Sequence, residues 1–202
     1  MGARAVGRVV GLWRYPVKSM AAEPLDAVDG SYLPSLSQPS RPDDSPVSVR
    51  TPSGDDFDVT DPALAEQLGH GARVIKQGRG VFDSAPLSLI TAQTVAVLES
   101  SVERDLDIRR FRPNLVVDIT EGTPFEEDGW VGSELAIGGM SMRVDRRNER
   151  CVIVTVDPET GERDPAVLRS IARERDARLG VYGTTVQPGR VALGDPVSLA
   201  GA

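Results

Sequence analysis

The stretch GVYGTTVQPGRVALGDPVSL, residues 180–199, contains three runs rich in β-forming residues. Two short turns, QPGR at 187–190 and GDP at 194–196, separate these runs. The stretch therefore predicts several short strands near the end of the chain.

The same pattern of short strands and tight turns continues toward the N-terminus. SELAIGGMSMRV, at residues 133–144, predicts two strands that are joined at Gly138 and Gly139. Further β-forming runs predict strands at residues 6–16 (ending near Pro16), 72–76, 114–119 and 151–157, and a hairpin at 47–59.

Three segments carry the marks of helices. DPALAEQLG at residues 61–69 and DPAVLRSIARERD at 164–176 both begin with aspartate as the cap and proline in the first turn. TAQTVAVLESSVERDL at 91–106 begins with a threonine cap and carries one apolar face. Because strands outnumber helices and short turns join them, we predict a mainly β fold, a β-barrel with two or three peripheral α-helices.

The composition excludes several classes of function. Thirty acidic against 23 basic residues give a formal charge of −7, which argues against general nucleic-acid binding. One cysteine cannot form an internal disulfide, and the first residues lack the apolar core of a signal peptide. No apolar run approaches the ~20 residues of a membrane span. We predict a cytoplasmic protein with no nucleic-acid or membrane partner, and with its single histidine, His70, on the surface.

Two basic segments are candidates for a binding site. In YPVKS, Lys18 and Ser19 directly follow the first strand. They are candidates for binding, and the alternative is that Lys18 is simply a solvated residue at the strand end. In RRFRPNLVVD, residues 109–118, three arginines lie within four positions before a buried-type strand. Guanidinium groups repel one another unless anions separate them, and arginine forms forked contacts with phosphate. The arginines could bind an anion, or they could form ion pairs with the acidic residues just upstream, Glu103, Asp105 and Asp107. The two alternatives are equal.

The only cysteine, Cys151, follows Arg146, Arg147 and Arg150 and precedes a β-type run. If Cys151 begins a strand, its thiol lies at the N-terminal mouth of that strand. Neighbouring arginines favour the thiolate, which is the form that binds soft metals and attacks as a nucleophile. The alternative is a buried, inert core residue, which is common for free cysteines.

Together these segments resemble the MOSC domain family, which comprises the C-terminal domain of molybdenum cofactor sulfurases and includes the mitochondrial amidoxime reducing components. The motifs YPVKS, RRFRPNLVVD, FEEDGWVG, IGG, ERCVIVTVDPETG and the closing stretch occur in the family's order. The resemblance implies a β-barrel-like MOSC domain over residues 81–202 and a shortened β-rich region over 1–80. The first strand, at 6–16, is a candidate to pack with the MOSC domain.

The resemblance also implies a cleft for the molybdopterin form of the molybdenum cofactor. Cys151 is then the thiolate ligand to molybdenum and the catalytic residue. Thr91 matches a family hydroxyl and lies at a predicted helix N-terminus, where free backbone N–H groups suit a phosphate. Together with Arg150, the neighbour of the cysteine, the predicted cofactor contacts are Lys18, Ser19, Thr91, Arg112, Asn114 and Arg150.

One segment departs from the family pattern. Relatives usually carry a Gly-Asp-Arg segment shortly after the lysine motif, and its arginine helps to bind the cofactor. Here GSYLPSLSQPSRPDD, residues 30–44, stands in that region. Arg41 and Arg50 are the candidates to replace the missing arginine.

The resemblance implies a molybdenum-dependent oxidoreductase component that removes oxygen from small N-oxygenated substrates. One cysteine cannot build an iron–sulfur centre, so electrons would come from a separate donor protein. The alternative is a sulfur carrier or cofactor-binding module that uses a Cys151 persulfide without redox catalysis. A degenerate domain that lost its site is a third hypothesis. A hydrolase is disfavoured, because the acidic residues that could serve as catalytic carboxylates are predicted to be solvated at the surface: Asp56, Asp58, Glu126, Glu127 and Asp128.

Overall fold

A computed structural model describes residues 3–15, 22–29, 47–69, 71–74 and 85–200. Within these ranges the fold is mainly β, with a closed seven-stranded barrel and three α-helices, which confirms the predicted fold class. The strands are β1 (Arg4–Arg14), β2 (Glu23–Pro24), β3 (Ala27–Asp29), β4 (Ser48–Arg50), β5 (Asp56–Asp58), β6 (Leu87–Thr91), β7 (Leu115–Ile119), β8 (Glu134–Ile137), β9 (Met140–Glu149), β10 (Arg178–Gln187), β11 (Arg190–Ala192) and β12 (Pro196–Leu199). The helices are α1 (Pro62–Leu68), α2 (Ala92–Val102) and α3 (Pro165–Arg175), with 3₁₀ helices at Ile108–Phe111, Glu126–Trp130 and Val152–Thr155.

The barrel closes because β1 pairs with both ends of the sheet. Around the barrel the order is β1, β12, β8, β9, β10, β6 and β7, and β7 pairs with β1 again. All these pairs are antiparallel except β6–β7, which is parallel and connected through α2. Both strands of this pair are apolar runs buried almost throughout, as expected for parallel strands that a helix covers. One βαβ unit is thus built into an otherwise antiparallel barrel.

Two hydrophobic cores lie on opposite faces of β6 and β7, because successive residues of a strand point to opposite faces. Leu89 and Val117 belong to the core inside the barrel. Ile90 and Val116 belong to the outer core, in which α2, α3 and two of the 3₁₀ helices cover the barrel. The outer core also contains Val154, so it anchors the segment that follows the single cysteine.

The predicted helix starts are confirmed. The carboxylates of Asp61 and Asp164 accept hydrogen bonds from the backbone N–H two residues on, at 2.8 and 3.0 Å. The Thr91 hydroxyl accepts from the N–H three residues on, at 3.3 Å. Such caps satisfy N–H groups that have no partner within the helix.

The strand predicted at residues 151–157 is wrong, because the chain forms the 3₁₀ helix Val152–Thr155 there. The preceding strand, β9, already pairs with both β8 and β10, and a closed barrel offers no free edge to another strand. The apolar residues of the run divide instead between two environments. Val154 is buried in the outer core, whereas Val152 and Ile153 are exposed.

Two further elements differ from the sequence prediction. Strand β6 is not predicted from the sequence, because Thr91 is assigned only as a helix cap and not as the end of a strand. Residues 72–74 form no strand, and 75–76 lie outside the described ranges. In both places local propensity is a weak guide, since pairing partners decide whether a run becomes a strand.

The N-terminal residues contribute to more than one sheet. β1 is a barrel strand, β3 pairs with β11, and β4 and β5 form the predicted hairpin. The division of the chain near residue 80 stays a prediction. Among the helices in the described ranges, none has both the length and the apolar character that a membrane span requires.

Candidate functional site

The order of the strands brings the two predicted motifs to one side of the barrel. Arg112 and Asn114 immediately precede β7, and Cys151 follows β9. Since β9, β10, β6 and β7 are neighbours in that order, the two motifs lie on either side of the β10–β6 pair. Lys18 and Ser19, which are predicted to join them, lie outside the described residues.

A row of polar side chains crosses the strands between the motifs. Tyr182 of β10 is paired with Arg146 of β9 on one side and with Ser88 of β6 on the other. The Arg146 guanidinium lies 5.3 Å from the centroid of the Tyr182 ring. The Ser88 hydroxyl donates to the carbonyl of Arg112 at 2.8 Å, and its N–H donates to Oδ1 of Asn114 at 3.0 Å. The row therefore connects the strand before the cysteine with the arginine motif.

Arg112 stacks on an aromatic ring at the edge of the site. It has a left-handed backbone, φ 46°, and its guanidinium lies 4.2 Å from the centroid of the Tyr15 ring. Burial raises the pKa of Tyr15 above its ordinary value, while Arg112 and Arg109 act in the opposite direction. The Tyr15 hydroxyl is buried without a hydrogen-bond partner among the described residues. Such a group is costly to leave unpaired, so this edge of the site lacks a polar contact.

The side chain of Asn114 is engaged within the protein. Its Oδ1 accepts from Ser88, and its Nδ2 donates to the carbonyl of Trp13 at 3.2 Å. The backbone of Asn114 exchanges further hydrogen bonds with the same two residues, at 2.9 and 3.0 Å. These bonds tie β1, β6 and β7 together. Asn114 thus supports the arginine motif, and its direct contact with a cofactor stays a prediction.

Arg150 places a cation next to Cys151. Its Nε and Nη2 donate to the carbonyl of Leu179 at 2.8 and 2.5 Å, and its Nη1 donates to the carbonyl of Phe111 at 2.7 Å. Burial lowers the pKa of Arg150 to about 10, which leaves it charged at neutral pH. The nearby Tyr182 and Cys151 act in the opposite direction. No carboxylate in the described part of the chain forms an ion pair with it.

The other two arginines of the motif are paired with carboxylates. Arg109 binds Asp107, with Nη2 at 2.5 Å from Oδ2, and also Glu159. These hydrogen bonds raise the pKa of Arg109. Arg110 binds Asp157 at 2.5 Å and the carbonyl of Thr155 at 3.1 Å. Ion pairing therefore describes these two arginines better than anion binding does. Of the three upstream acids that were predicted as partners, only Asp107 forms such a pair with them.

Cys151 is exposed as a free cysteine, so the alternative of a buried, inert core residue is wrong. It precedes the first residue of the 3₁₀ helix and has an extended backbone, φ −120° and ψ −174°. Val152 and Ile153, the next two residues, are 57% and 37% exposed. The rim of the site thus combines an exposed sulfur, a buried cation and apolar surface.

The helix N-terminus that was predicted to receive a phosphate holds a carboxylate of the protein itself. The hydroxyls of Thr91 and Thr94 donate to Oε2 of Glu127 at 2.9 and 3.0 Å, and all three residues are 0% exposed. Burial raises the pKa of Glu127, against the effect of these hydrogen bonds. Thr91 lies about 10 Å along β6 from Ser88. Its contact with a cofactor stays a prediction, and the prediction that Glu127 is solvated is wrong.

The remaining acidic residues and the substitute arginines have simple surroundings. Asp56 and Asp58 are exposed, as predicted. Arg50 forms a forked ion pair with Asp56 on the β4–β5 hairpin, which engages the guanidinium that was a candidate to replace the missing arginine. Asp128 is not simply solvated, because it pairs with Arg147 at 3.0 Å and with Arg175 as well. Arg41 lies outside the described residues.

Three residues of the site are missed by sequence reasoning. Ser88 belongs to the strand that the sequence analysis does not recognise, and Tyr182 lies in a run whose alternation predicts a strand but not its neighbours. Tyr15, the third missed residue, differs from these two because it begins the YPVKS motif, so a signal in the sequence could have identified it.

Comparison with known proteins agrees with this geometry. The MOSC domain pattern matches residues 69–198. Mitochondrial amidoxime reducing component 2 from Bos taurus is 32% identical over 128 residues, which are 57% of this chain and 37% of that protein. A molybdenum cofactor sulfurase from Drosophila grimshawi is 35% identical over 156 residues, which are 67% of this chain and 20% of that protein. The matches therefore span well under half the length of these relatives.

The fold also has a counterpart among solved structures. The YUAD protein from Bacillus subtilis superposes with a TM-score of 0.60 and 14% sequence identity, covering 96% of this chain and 95% of that one. At this identity the likeness supports the fold alone. The sequence pattern, by contrast, covers most of the chain and contains both the arginine motif and the cysteine. The chain therefore belongs to the MOSC domain family.

Proposed function

We propose that this protein binds the molybdenum cofactor through a Cys151 thiolate and acts as an oxidoreductase component that reduces small N-oxygenated substrates. One observation carries the proposal. Cys151 is exposed, and it directly follows Arg150, whose guanidinium donates to two carbonyls and forms no ion pair with a described residue. A thiolate binds soft metals, and arginine favours phosphate. The site thus combines a soft donor with a positive charge.

The residues of the site suit a bound cofactor in two further respects. The buried Tyr15 hydroxyl, which lacks a partner among the described residues, needs a polar group that a ligand can supply. Arg112 and Arg150 are cations close to it, since both act on the pKa of Tyr15. An anionic, polar ligand would therefore suit these charges and could supply a hydrogen bond to the hydroxyl.

In this proposal the residues divide by role. Lys18, Ser19 and Arg112 hold the pterin and its phosphate, and Asn114 keeps Arg112 in place. Thr91 can join them only if the Glu127 carboxylate leaves the N-terminus of α2, because both use the same hydroxyl. When bound, the cofactor supplies a metal centre that exchanges an oxygen atom with the substrate.

The substrate class and the electron source follow from the relatives and the composition. An amidoxime reducing component reduces an N-oxygenated group by its name, which supports a small substrate of that kind here. The chain has one cysteine and no iron–sulfur ligand set, so electrons would reach the site from a separate donor protein. The cytoplasmic location stays a prediction.

Molybdenum content tests the cofactor proposal. The wild-type chain and Cys151→Ser are expressed in a host that makes the cofactor, and molybdenum and pterin are measured on the purified proteins. We expect metal in the wild type and a loss of about tenfold or more in Cys151→Ser, because the variant lacks the soft donor. Ser100→Ala, a change at an exposed position of α2, is the handling control. Near-zero molybdenum in both wild type and Cys151→Ser contradicts the proposal.

The alternative of a sulfur carrier has its own support, because an exposed cysteine can carry a persulfide without any metal. The protein is incubated with a persulfide donor, desalted and treated with cyanide. Releasable sulfane sulfur that disappears in Cys151→Ser, together with absent molybdenum, favours the carrier. Bound molybdenum with no releasable sulfur favours the oxidoreductase component.

A further inference from the structure

The segment that carries the cysteine is held at both ends by arginines. At its start, Arg150 donates to the carbonyl of Phe111, the last residue of the 3₁₀ helix Ile108–Phe111. At its end, Arg110 of the same helix donates to the carbonyl of Thr155 and to the carboxylate of Asp157. Both anchors therefore tie the cysteine segment to the helix that leads into Arg112.

The two anchors differ in charge. The carboxylate of Asp157 neutralises Arg110 at 2.5 Å. Among the described residues, Arg150 has only the carbonyls of Leu179 and Phe111 as hydrogen-bond acceptors, and these carry no net charge. Glu127 acts on its pKa through space but forms no ion pair with it. A cation that no ion pair neutralises acts on a nearby thiolate more strongly than a paired cation does.

The backbone beneath Arg150 is shaped to admit it. Gly180 follows Leu179 and has φ +69°, a conformation that side chains disfavour. A Cβ at this position would lie 2.7 Å from the carbonyl oxygen of Leu89 and 3.3 Å from Nη2 of Arg150. Any side chain at Gly180 would therefore crowd the guanidinium that bonds to Leu179.

From these contacts we infer that Arg150 is a positioning residue, which fixes Cys151 against the Arg112 segment and holds an unneutralised positive charge beside the sulfur. Arg110 is the mechanical anchor only. The inference rests on the proposed function, because it explains how the chain prepares Cys151 to meet an anionic, metal-bearing ligand. It also changes the role of Arg150 from a cofactor contact to a residue that acts through its neighbour.

The charge at the sulfur can be measured on cofactor-free protein with two alkylating reagents. Iodoacetate is an anion and iodoacetamide is neutral, but both react with the same thiolate. The ratio of their rate constants therefore cancels differences in thiolate fraction and in access, and reports the local charge. N-acetylcysteine amide in the same buffer at neutral pH provides the reference ratio.

We expect the wild-type ratio to exceed the reference and to fall about fivefold in Arg150→Gln, as for the loss of one nearby unit charge. Arg150→Lys keeps at least half of the wild-type ratio. The double variant Arg110→Gln/Asp157→Asn removes the other anchor at constant net charge, and we expect its ratio to stay within about twofold of the wild type. A change in folding alone would not produce this pattern.

Three results would overturn the inference: an unchanged ratio in Arg150→Gln, an equal fall in the double variant, or a fall to the glutamine level in Arg150→Lys. If Arg150→Gln does not fold, the ratio measured at Cys151 of the wild type still tests the inference. A cysteine at exposed position 100, introduced as Ser100→Cys in a Cys151→Ser background, must then show a lower ratio than Cys151. The alkylation ratio is measured without molybdenum, so it can be interpreted even if the cofactor proposal fails. If molybdenum binds but the ratio is unchanged in Arg150→Gln, only the inference about Arg150 is contradicted.

Discussion

Two charges of opposite sign are buried near strand β6, and both are bonded to uncharged groups. The Glu127 carboxylate accepts hydrogen bonds from the hydroxyls of Thr91 and Thr94. The Arg150 guanidinium donates to two backbone carbonyls. Neither forms an ion pair with another described residue, so neutral dipoles supply their direct contacts, although Glu127 also acts on the pKa of Arg150 through space.

The two charges differ in their neighbours. Glu127 is 0% exposed and lies against the N-terminus of α2, where the helix dipole favours an anion. Arg150 is buried too, but the next residue in the chain, Cys151, is exposed. Glu127 therefore serves the fold, whereas Arg150 adjoins a residue that a ligand can reach. The comparison therefore separates a structural site from a binding site, although both look like anion motifs in the sequence.

The largest effect on stability is expected from Glu127→Ala. This change leaves a cavity and one buried hydroxyl without an acceptor, since Thr91 and Thr94 can still bond to each other at 2.9 Å, and it costs about 3 kcal/mol in the free energy of unfolding. Urea denaturation measures it. Glu126→Ala, at the neighbouring residue that pairs with Arg4 at the surface, is the matched control with little expected change. Equal losses in both variants would show that the Glu127 site is not special.

The pH dependence of stability sharpens the same comparison. Burial raises the pKa of folded Glu127 above its unfolded value, so its contribution is present below the unfolded pKa and is lost as pH rises through the folded pKa. Glu127→Gln does not titrate, so its stability relative to the wild type should rise as pH increases from the ordinary glutamate pKa toward the raised pKa of the folded state. Thermal unfolding across this range is the measurement, and a constant or falling difference would speak against a buried, ionisable carboxyl.

Tyr15→Phe, at the candidate binding site, is expected to raise stability, whereas Glu127→Ala lowers it. The change removes a buried hydroxyl that lacks a partner among the described residues, so the cofactor-free protein should gain up to about 1 kcal/mol in stability. The same variant should retain less molybdenum when it is expressed with the cofactor. A loss of stability in the cofactor-free variant would mean that the hydroxyl is already satisfied.

The smallest effect is expected at Arg50, which pairs with Asp56 on an exposed hairpin. Exposed ion pairs contribute little, because water and salt screen them. Arg50→Gln should leave both the melting temperature and the molybdenum content unchanged. A loss of molybdenum in this variant would indicate that Arg50 reaches the ligand after all and replaces the missing family arginine.

Much of the fold could be predicted from the sequence, because local signals decide it. Asp61, Asp164 and Thr91 cap helices as their positions predict, and the glycine turn at 138–139 joins two strands. The run after Cys151 could not be predicted from propensity. Its residues favour a strand, but the closed barrel leaves them no partner.

The site was predictable to a lesser degree. Cys151 and the arginine motif are recognisable by their residue types, but the contact between them, from Arg150 to the carbonyl of Phe111, is made only in the folded chain. Which arginines form ion pairs depends in part on Asp157 and Glu159, which also approach only in the folded chain. Glu127 was missed for the same reason, since its burial results from packing against α2 and has no mark in the sequence.

The central claim is that the sulfur of Cys151 bonds molybdenum in a positively charged cleft. X-ray absorption at the molybdenum edge counts the sulfur neighbours of the metal directly. We predict one more sulfur neighbour in the wild type than in Cys151→Ser, measured on whatever metal the variant retains. The same sulfur count in both proteins would contradict the account.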